Sequence, residues 1–218
     1  MARIDLPHDA KAGPTKAEVR SVLLDKLRLD AEMHFVEVGS CTGAVTIEAA
    51  REAGRVTALE RKAERATVTR KNLAANDVPI VDETAGESDS GATPPATDGG
   101  AAAASSGPAP VEVRVGEAPD GLPDDADSLF LGGSRNYEAV LDHARETDVD
   151  RIVMNVSRLE VAGAATEAFR ERGLLSEVVQ FQVSHGYELA GATSFDADNP
   201  VYMLVGSATE GGSRRDET

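Results

Sequence analysis

A single cysteine, Cys41, stands in 218 residues. That scarcity excludes internal disulfides and cysteine-rich metal sites and fits a reducing compartment. The four histidines, His8 and His34 among them, are scattered and offer no ligand spacing for a metal ion. No run of about 18 apolar residues occurs, so no segment reads as a membrane-spanning helix. The opening MARIDLPHDA carries charges where a signal peptide needs an apolar stretch, so secretion is not expected. Lysine is scarce too, at five of the 22 basic residues. These shortages together predict a soluble, cytoplasmic protein.

What the chain has in excess is carboxylate, with 38 acidic residues and a formal net charge of −16. Such a surface repels phosphate backbones and argues against electrostatic capture of nucleic acid. With abundant alanine and threonine, it is typical of proteins that stay hydrated in concentrated salt. There the Debye length is about 3 Å or less, so self-repulsion is largely screened. The charge is spread along the chain rather than blocked, and is read as solvation rather than as an interaction surface.

The length fits one ordinary domain, expected over residues 1–206 with a flexible tail over 207–218. Inside it, residues 82–110 (DETAGESDSGATPPATDGGAAAASSGPAP) hold no aromatic and no large aliphatic side chain. Such a stretch cannot bury enough surface to offset its ordering entropy, and predicts a disordered surface insertion. Loop closure grows only logarithmically with length, so a fold carries it cheaply. No internal repeat is visible.

Elsewhere short apolar runs alternate with helical patterns, the mark of a parallel sheet flanked by helices. Thr15 followed by Glu18 reads as a capping box, opening a helix whose Val19, Val22, Leu23 and Leu27 share a face. Strands are expected at 34–38, 55–60, 111–115, 128–131 and 151–156. Helices are expected at 44–52, 62–75, 134–147 and 160–172. Two further strand-like runs, 178–184 and 201–205, have no helix between them and read as an antiparallel pair. The predicted class is α/β, doubly wound, with a seven-stranded mostly parallel sheet and an antiparallel last strand. Methyltransferases have that ending and dehydrogenases generally lack it.

Three stretches carry the chemistry. In VEVGSCTGAVTIEAA, residues 36–50, an apolar strand runs through a glycine-containing turn into a small-residue helix. Backbone amides and a helix N-terminus there can closely approach a bound cofactor, although any tight strand-to-helix turn favours glycine. RVTALE ends the next strand on Glu60, about 17 residues past Gly43, the spacing at which a carboxylate accepts hydrogen bonds from ribose hydroxyls. These two features leave dinucleotide binding open; the incomplete G-x-G-x-x-G spacing and the antiparallel ending favour S-adenosylmethionine. In VRVGEAPDGLP, residues 113–123, a strand breaks at Gly116 and places Glu117 and Ala118 at the carboxyl edge of the sheet. It is either a plain strand terminus or, as is common in methyltransferases, a loop lying along the adenine.

In order along the chain, PTKAEVR (14–20), Gly39 to Gly43, GEAP (116–119), LFLGGS (129–134), RIVMNVSRLE (151–160) and VSHGYELAGATSFDADNPVYML (183–204) resemble one family. It is the decarboxylating precorrin methyltransferases of cobalamin biosynthesis, class I enzymes that methylate carbon-15 of the macrocycle. The likeness is haloarchaeal in its acidity and spans nearly everything but the insertion and the tail. It implies S-adenosyl-L-methionine as methyl donor and S-adenosyl-L-homocysteine as product. It also implies cofactor contacts by Thr15, Gly39, Ser40, Cys41, Thr42, Gly43, Glu60 and Ala118. Cys41 replaces the family's middle glycine, and Glu60 its usual aspartate. A left-handed backbone at residue 41 would cost a side chain roughly 1–2 kcal/mol. With no histidine base identifiable beside it, Cys41 reads as a small buried filler rather than a nucleophile.

Methyl transfer to an electron-rich carbon asks the protein mainly to align two ligands and exclude water, so no triad or carboxylate pair is needed. The catalytic residue is unassigned, with His185 and Asn155 as candidates; His185 could shuttle a proton during decarboxylation. A corrinoid tetrapyrrole carries many carboxylates, which makes Arg158 and then Arg135 the candidate clamps. Each could equally be a surface arginine paired with neighbouring acids. The resemblance implies a homo-oligomer, commonly a tetramer. A tRNA or protein methyltransferase of the same fold, or a non-catalytic cofactor-binding subunit, remain the alternatives.

Overall fold

β-Branched and leucine-rich runs, most of them four to seven residues long and several separated by helices, assemble into one twisted sheet with helices on both faces. The computed structural model describes residues 3–10, 13–81, 107–133 and 135–209. In chain order the elements are α1 (Ala17–Leu27), β1 (His34–Val38), α2 (Ala44–Ala49), β2 (Arg55–Glu60), α3 (Ala63–Ala75), β3 (Ile80–Val81), β4 (Val111–Val115) and β5 (Ser128–Leu131). They continue as α4 (Tyr137–Glu146), β6 (Arg151–Val156), α5 (Leu159–Glu171), β7 (Leu175–Phe181), β8 (Ser184–Leu189), β9 (Ala192–Ala197) and β10 (Val201–Gly206).

The main sheet runs β3-β4-β2-β1-β5-β6-β10-β7, with β8 and β9 forming a separate two-stranded sheet. All its pairings are parallel except those of β10, which is antiparallel to both β6 and β7. Side chains alternate across each strand, so every strand feeds two cores. Phe35, Phe130, Val153 and Met203 face α1, α2 and α3 through Leu23, Leu27, Ile47 and Leu73. Val36, Leu129, Leu131, Ile152 and Met154 face α4 and α5 through Val140, Leu141, Ala165 and Phe169.

Four details differ from the sequence-based expectation. The sheet has eight strands rather than seven, because Ile80 and Val81, carried past α3 by buried Val78, add a short parallel edge beside Val111 and Glu112. The expected strand at 178–184 is β7, which starts at Leu175 and ends at Phe181, and the next strand is new. β8 and β9 pair as a hairpin with Leu189 opposite Ala192. Its two-residue turn, Ala190 and Gly191, has φ of 52° and 77°, the pair of positive values that matches strand twist. The third difference is the expected capping box at Thr15: Lys16 caps α1 and makes no side-chain cap bond. The Thr15 carbonyl instead accepts a hydrogen bond from Arg20.

Finally, the described residues at the edges of the expected insertion, 82–110, and tail, 207–218, are tied to the domain. Ala109 is buried and donates its N–H to the Ala50 carbonyl at 2.6 Å. Ser207 and Ala208 donate to the carbonyls of Leu174 and Val149 at 3.0 and 2.9 Å. Residues 82–106 and 210–218 lie outside the described residues.

Candidate active site

From β1 the chain winds outward through β2 and β4 on one side of the sheet and returns through β5 and β6 on the other. Ligands of open α/β sheets bind at such a switch point, outside the carboxyl ends of the strands. Here a cleft of about 370 Å³ opens at that place, within the size range of small-molecule sites.

Its floor at one end is the turn after β1. Gly39, Cys41 and Gly43 all have positive φ, of 88°, 54° and 78°. Gly43 caps α2, and a Cβ there would come within 3.2 Å of Thr69 Cγ2, so glycine serves both conformation and space. Cys41 therefore does occupy the left-handed region, at a cost of about 1–2 kcal/mol. Both peptide groups beside it are held: its N–H donates to Glu60 Oε2 at 3.3 Å, and its carbonyl accepts from Thr69 Oγ1 at 3.0 Å. Thr69 also lies 3.0 Å from Ser40 Oγ, and Asn72 Nδ2 donates to the Thr42 carbonyl at 2.9 Å. Spaced three apart on α3, Thr69 and Asn72 share a face and brace the turn from behind. Asn72 also clasps the N-terminal segment through both backbone groups of His8.

Glu60 ends β2 and is 3% exposed. Its second oxygen accepts from the Lys62 N–H at 3.0 Å. A carboxylate offers about four acceptor positions, so two remain for a ligand in the cleft. Glu37, deeper in the same wall, accepts from the Thr46 hydroxyl. Burial pushes its carboxyl up to about 8, against that hydrogen bond; at neutral pH it is uncharged and can donate.

The cleft lining brings together Thr15, Gly39, Ser40, Cys41, Thr42, Glu60, Ala118, Arg135 and Asn155 of the residues expected from sequence. Gly43 sits just behind the lining as the α2 cap. Arg135 stands at the mouth, 64% exposed, with Glu117 at 3.1 Å. Arg158 caps α5 and is exposed, and His185 lies on β8, 3.6 Å from Asp198 Oδ2; neither lines the cleft. His34 sits at the opposite end of β1, bonded to Thr57 and Asp125.

At the far end, where the start of α1 meets the ends of β6 and β10, Asn155 lines the cleft with Nδ2 and Oδ1 both buried and without a hydrogen-bond partner. Leaving such groups unmade costs about 1–3 kcal/mol each. Glu37, Thr69 and Asn72 escape a reading of the sequence. A polar residue inside an apolar strand or on a helix looks solvated until long-range packing buries it.

A family profile described as precorrin methyltransferase domain matches residues 7–97. A Halobacterium salinarum protein named probable cobalt-precorrin-6B C(15)-methyltransferase (decarboxylating) is 67% identical over 96% of each chain. The crystal structure of precorrin 8W decarboxylase from Methanobacterium thermoautotrophicum superposes with a TM-score of 0.74 over 95% of this chain and 100% of that one. At 23% identity it speaks for the fold. The structure of precorrin-6Y C5,15-methyltransferase from Geobacter metallireducens, 27% identical, gives 0.70 over 92% of this chain and 93% of that one. With the switch-point cleft, the glycine turn and the strand-end carboxylate in place, the chain belongs to the precorrin methyltransferase family, among its decarboxylating carbon-15 members.

Proposed function

We propose that this protein methylates carbon-15 of cobalt-precorrin-6B and removes carbon dioxide from a ring acetate arm, in anaerobic cobalamin biosynthesis. The observation that carries the reading is the joining, in one cleft, of a braced nucleoside-type site to a far end where Asn155 is buried without a partner. S-Adenosyl-L-methionine supplies the methyl group when bound. The residues present fit it. Glu60 has acceptor capacity facing the cleft for ribose hydroxyls. Ala118, buried at the β4 exit, offers a flat apolar wall for the adenine, and the turn Gly39 to Gly43 with Thr15 borders the methionine part.

The chain's contribution is to hold two ligands in line and keep water out, which can supply about 7–11 kcal/mol of the barrier. Lys16, Arg61, Arg65 and Arg135 all line the cleft, Lys16 paired with Asp198 and Arg135 with Glu117; in a chain of net charge −16 this gathering suits a substrate rich in carboxylates. Arg135 at the mouth, and Arg158 just beyond the lining, are the proposed holders of peripheral arms. His185 is a more distant candidate for proton transfer.

The protein is further read as a cytoplasmic homo-oligomer with no nucleic-acid partner. Tyr187 and Leu189, exposed on one face of the β8–β9 hairpin, and Phe195, exposed on the other, support the oligomer. Among the described residues no helix is long and apolar enough to cross a membrane. The decisive experiment incubates the protein with methyl-labelled cofactor and late corrinoid intermediates. A product heavier by one methyl and lighter by carbon dioxide is expected; label appearing in tRNA or protein instead would discard the substrate.

A further inference from the structure

Glu37, Phe130 and Val153 stand in register across β1, β5 and β6, and Phe130 and Val153 belong to the core layer beneath α1. Asn155 lies two residues beyond Val153 and opposite Met203 of that layer. It therefore projects from the same face, one step nearer the carboxyl edge. Around it Val19 and Val201 are apolar, and the ammonium of Lys16 is already paired with Asp198. Among the described residues, Asn155 is the one cleft-lining side chain with buried polar atoms and no partner. A native protein tolerates such a group where a ligand completes it.

We propose that Asn155 anchors the acetate arm that is lost, an assignment resting on the corrinoid reading above. Nδ2 donates to the arm's carboxylate, and Oδ1 accepts from a water at the same spot. The choice of a neutral amide follows from the chemistry. In decarboxylation the bond from the arm carbon to the carboxyl breaks, carbon dioxide leaves, and the electron pair passes into the conjugated ring, which the added methyl has left electron-poor. The arm carbon then takes a proton from water as the ring releases one. A cation against this carboxylate would stabilise the bound arm more than the transition state, from which the carboxylate charge is departing. An amide orients the arm without that opposition, which leaves the arginines to the arms that do not react.

The test uses the intact protein carrying Asn155→Leu or Asn155→Asp, with carbon dioxide release and methyl transfer counted from separately labelled positions. The leucine variant removes both unpartnered groups at nearly constant shape. It is expected to melt no lower than wild type and to bind S-adenosylhomocysteine within about twofold, while the macrocycle KM rises about tenfold or more. Carbon dioxide release falls further than methyl transfer. The aspartate variant, which sets a second carboxylate against the arm, loses more. A leucine variant with wild-type KM and an unchanged ratio of the two products overturns the assignment. So does a loss that tracks lowered melting or weakened cofactor binding. Wild-type protein that methylates no late corrinoid overturns the functional reading itself and this assignment with it.

Discussion

The two ends of the cleft are built differently. At the glycine-turn end nearly every polar group has a partner within the protein: Cys41 N–H and Lys62 N–H on Glu60, Cys41 carbonyl on Thr69, Thr42 carbonyl on Asn72. At the β6 end Asn155 has none. The first end is preorganised, so its ligand meets a rigid socket and loses little to ordering. The second keeps unused hydrogen-bonding capacity, which under the proposal above serves the substrate and its selectivity. The segment Gly13 to Lys16 lies along the cleft and reaches both, so whatever holds it couples them.

Arg20 holds it, and its removal is the largest expected effect. Arg20 and Glu48 are buried, 8% and 6% exposed, with Nε to Oε2 at 2.8 Å and a second contact at 3.4 Å. Another guanidinium nitrogen binds the Thr15 carbonyl. Arg20→Ala strands a buried carboxylate and should lower unfolding free energy by about 3–5 kcal/mol in urea titrations. The paired change Arg20→Met with Glu48→Leu should restore most of that stability while S-adenosylhomocysteine binding stays weak by calorimetry. Wild-type affinity in the pair would mean that the Thr15 segment holds itself, and the coupling between the ends would go.

Next in size is Glu60→Ala. It removes a charged acceptor worth about 1.5–3 kcal/mol per hydrogen bond, so cofactor affinity should fall about ten- to a hundredfold. Macrocycle KM measured at saturating cofactor should move little. Equal losses at both ligands would erase the division of the cleft, and unchanged cofactor affinity would remove the ribose role.

The division also explains what was legible beforehand. Gly39 to Gly43 and Glu60 are read from sequence because one turn and one strand spacing, within about 20 residues, define the socket. The strands flanking them are equally local: buried on both faces, they read as apolar runs. The Asn155 end joins residues near 16, 155 and 201, and no short pattern announces that meeting. Asn155 is visible only as a polar residue inside an apolar strand. The hairpin 184–197 escaped for another reason. Exposed on both faces and interrupted by Gly186, it has no apolar alternation to betray a strand. Thr15 and Glu18 misled because a capping box is only a spacing, and here the Thr15 carbonyl is engaged by a residue five positions on.

Glu37 gives a smaller effect, with a definite sign. Folded, it keeps its proton to about pH 8; the ordinary value is 4.5. The native state thus binds more protons than the unfolded chain in that interval. Stability falls as pH rises and levels off above about 8. His34, lowered by burial and by Arg55, acts in the opposite sense but only below 6.5. Between pH 6.5 and 8 the slope should therefore approach about −1.4 kcal/mol per unit, read from urea midpoints. Glu37→Gln should flatten it; an unaltered slope would place the proton elsewhere.

The smallest expected effect sits inside the socket itself. Cys41 at φ 54° carries about 1–2 kcal/mol of left-handed strain. Replacing it with glycine relieves that strain but adds backbone freedom to the unfolded chain, worth about 0.5–1 kcal/mol. The Cys41 N–H to Glu60 and carbonyl to Thr69 bonds involve backbone atoms and survive the change. Cys41→Gly should thus raise stability by about 1 kcal/mol or less, seen as a small upward shift in melting. The informative measurement is the cofactor Kd taken alongside it. Tighter binding with higher stability would show that the thiol crowds the methionine part. Weaker binding would show that the side chain is a contact, and that this socket has been retuned around cysteine rather than merely tolerating it.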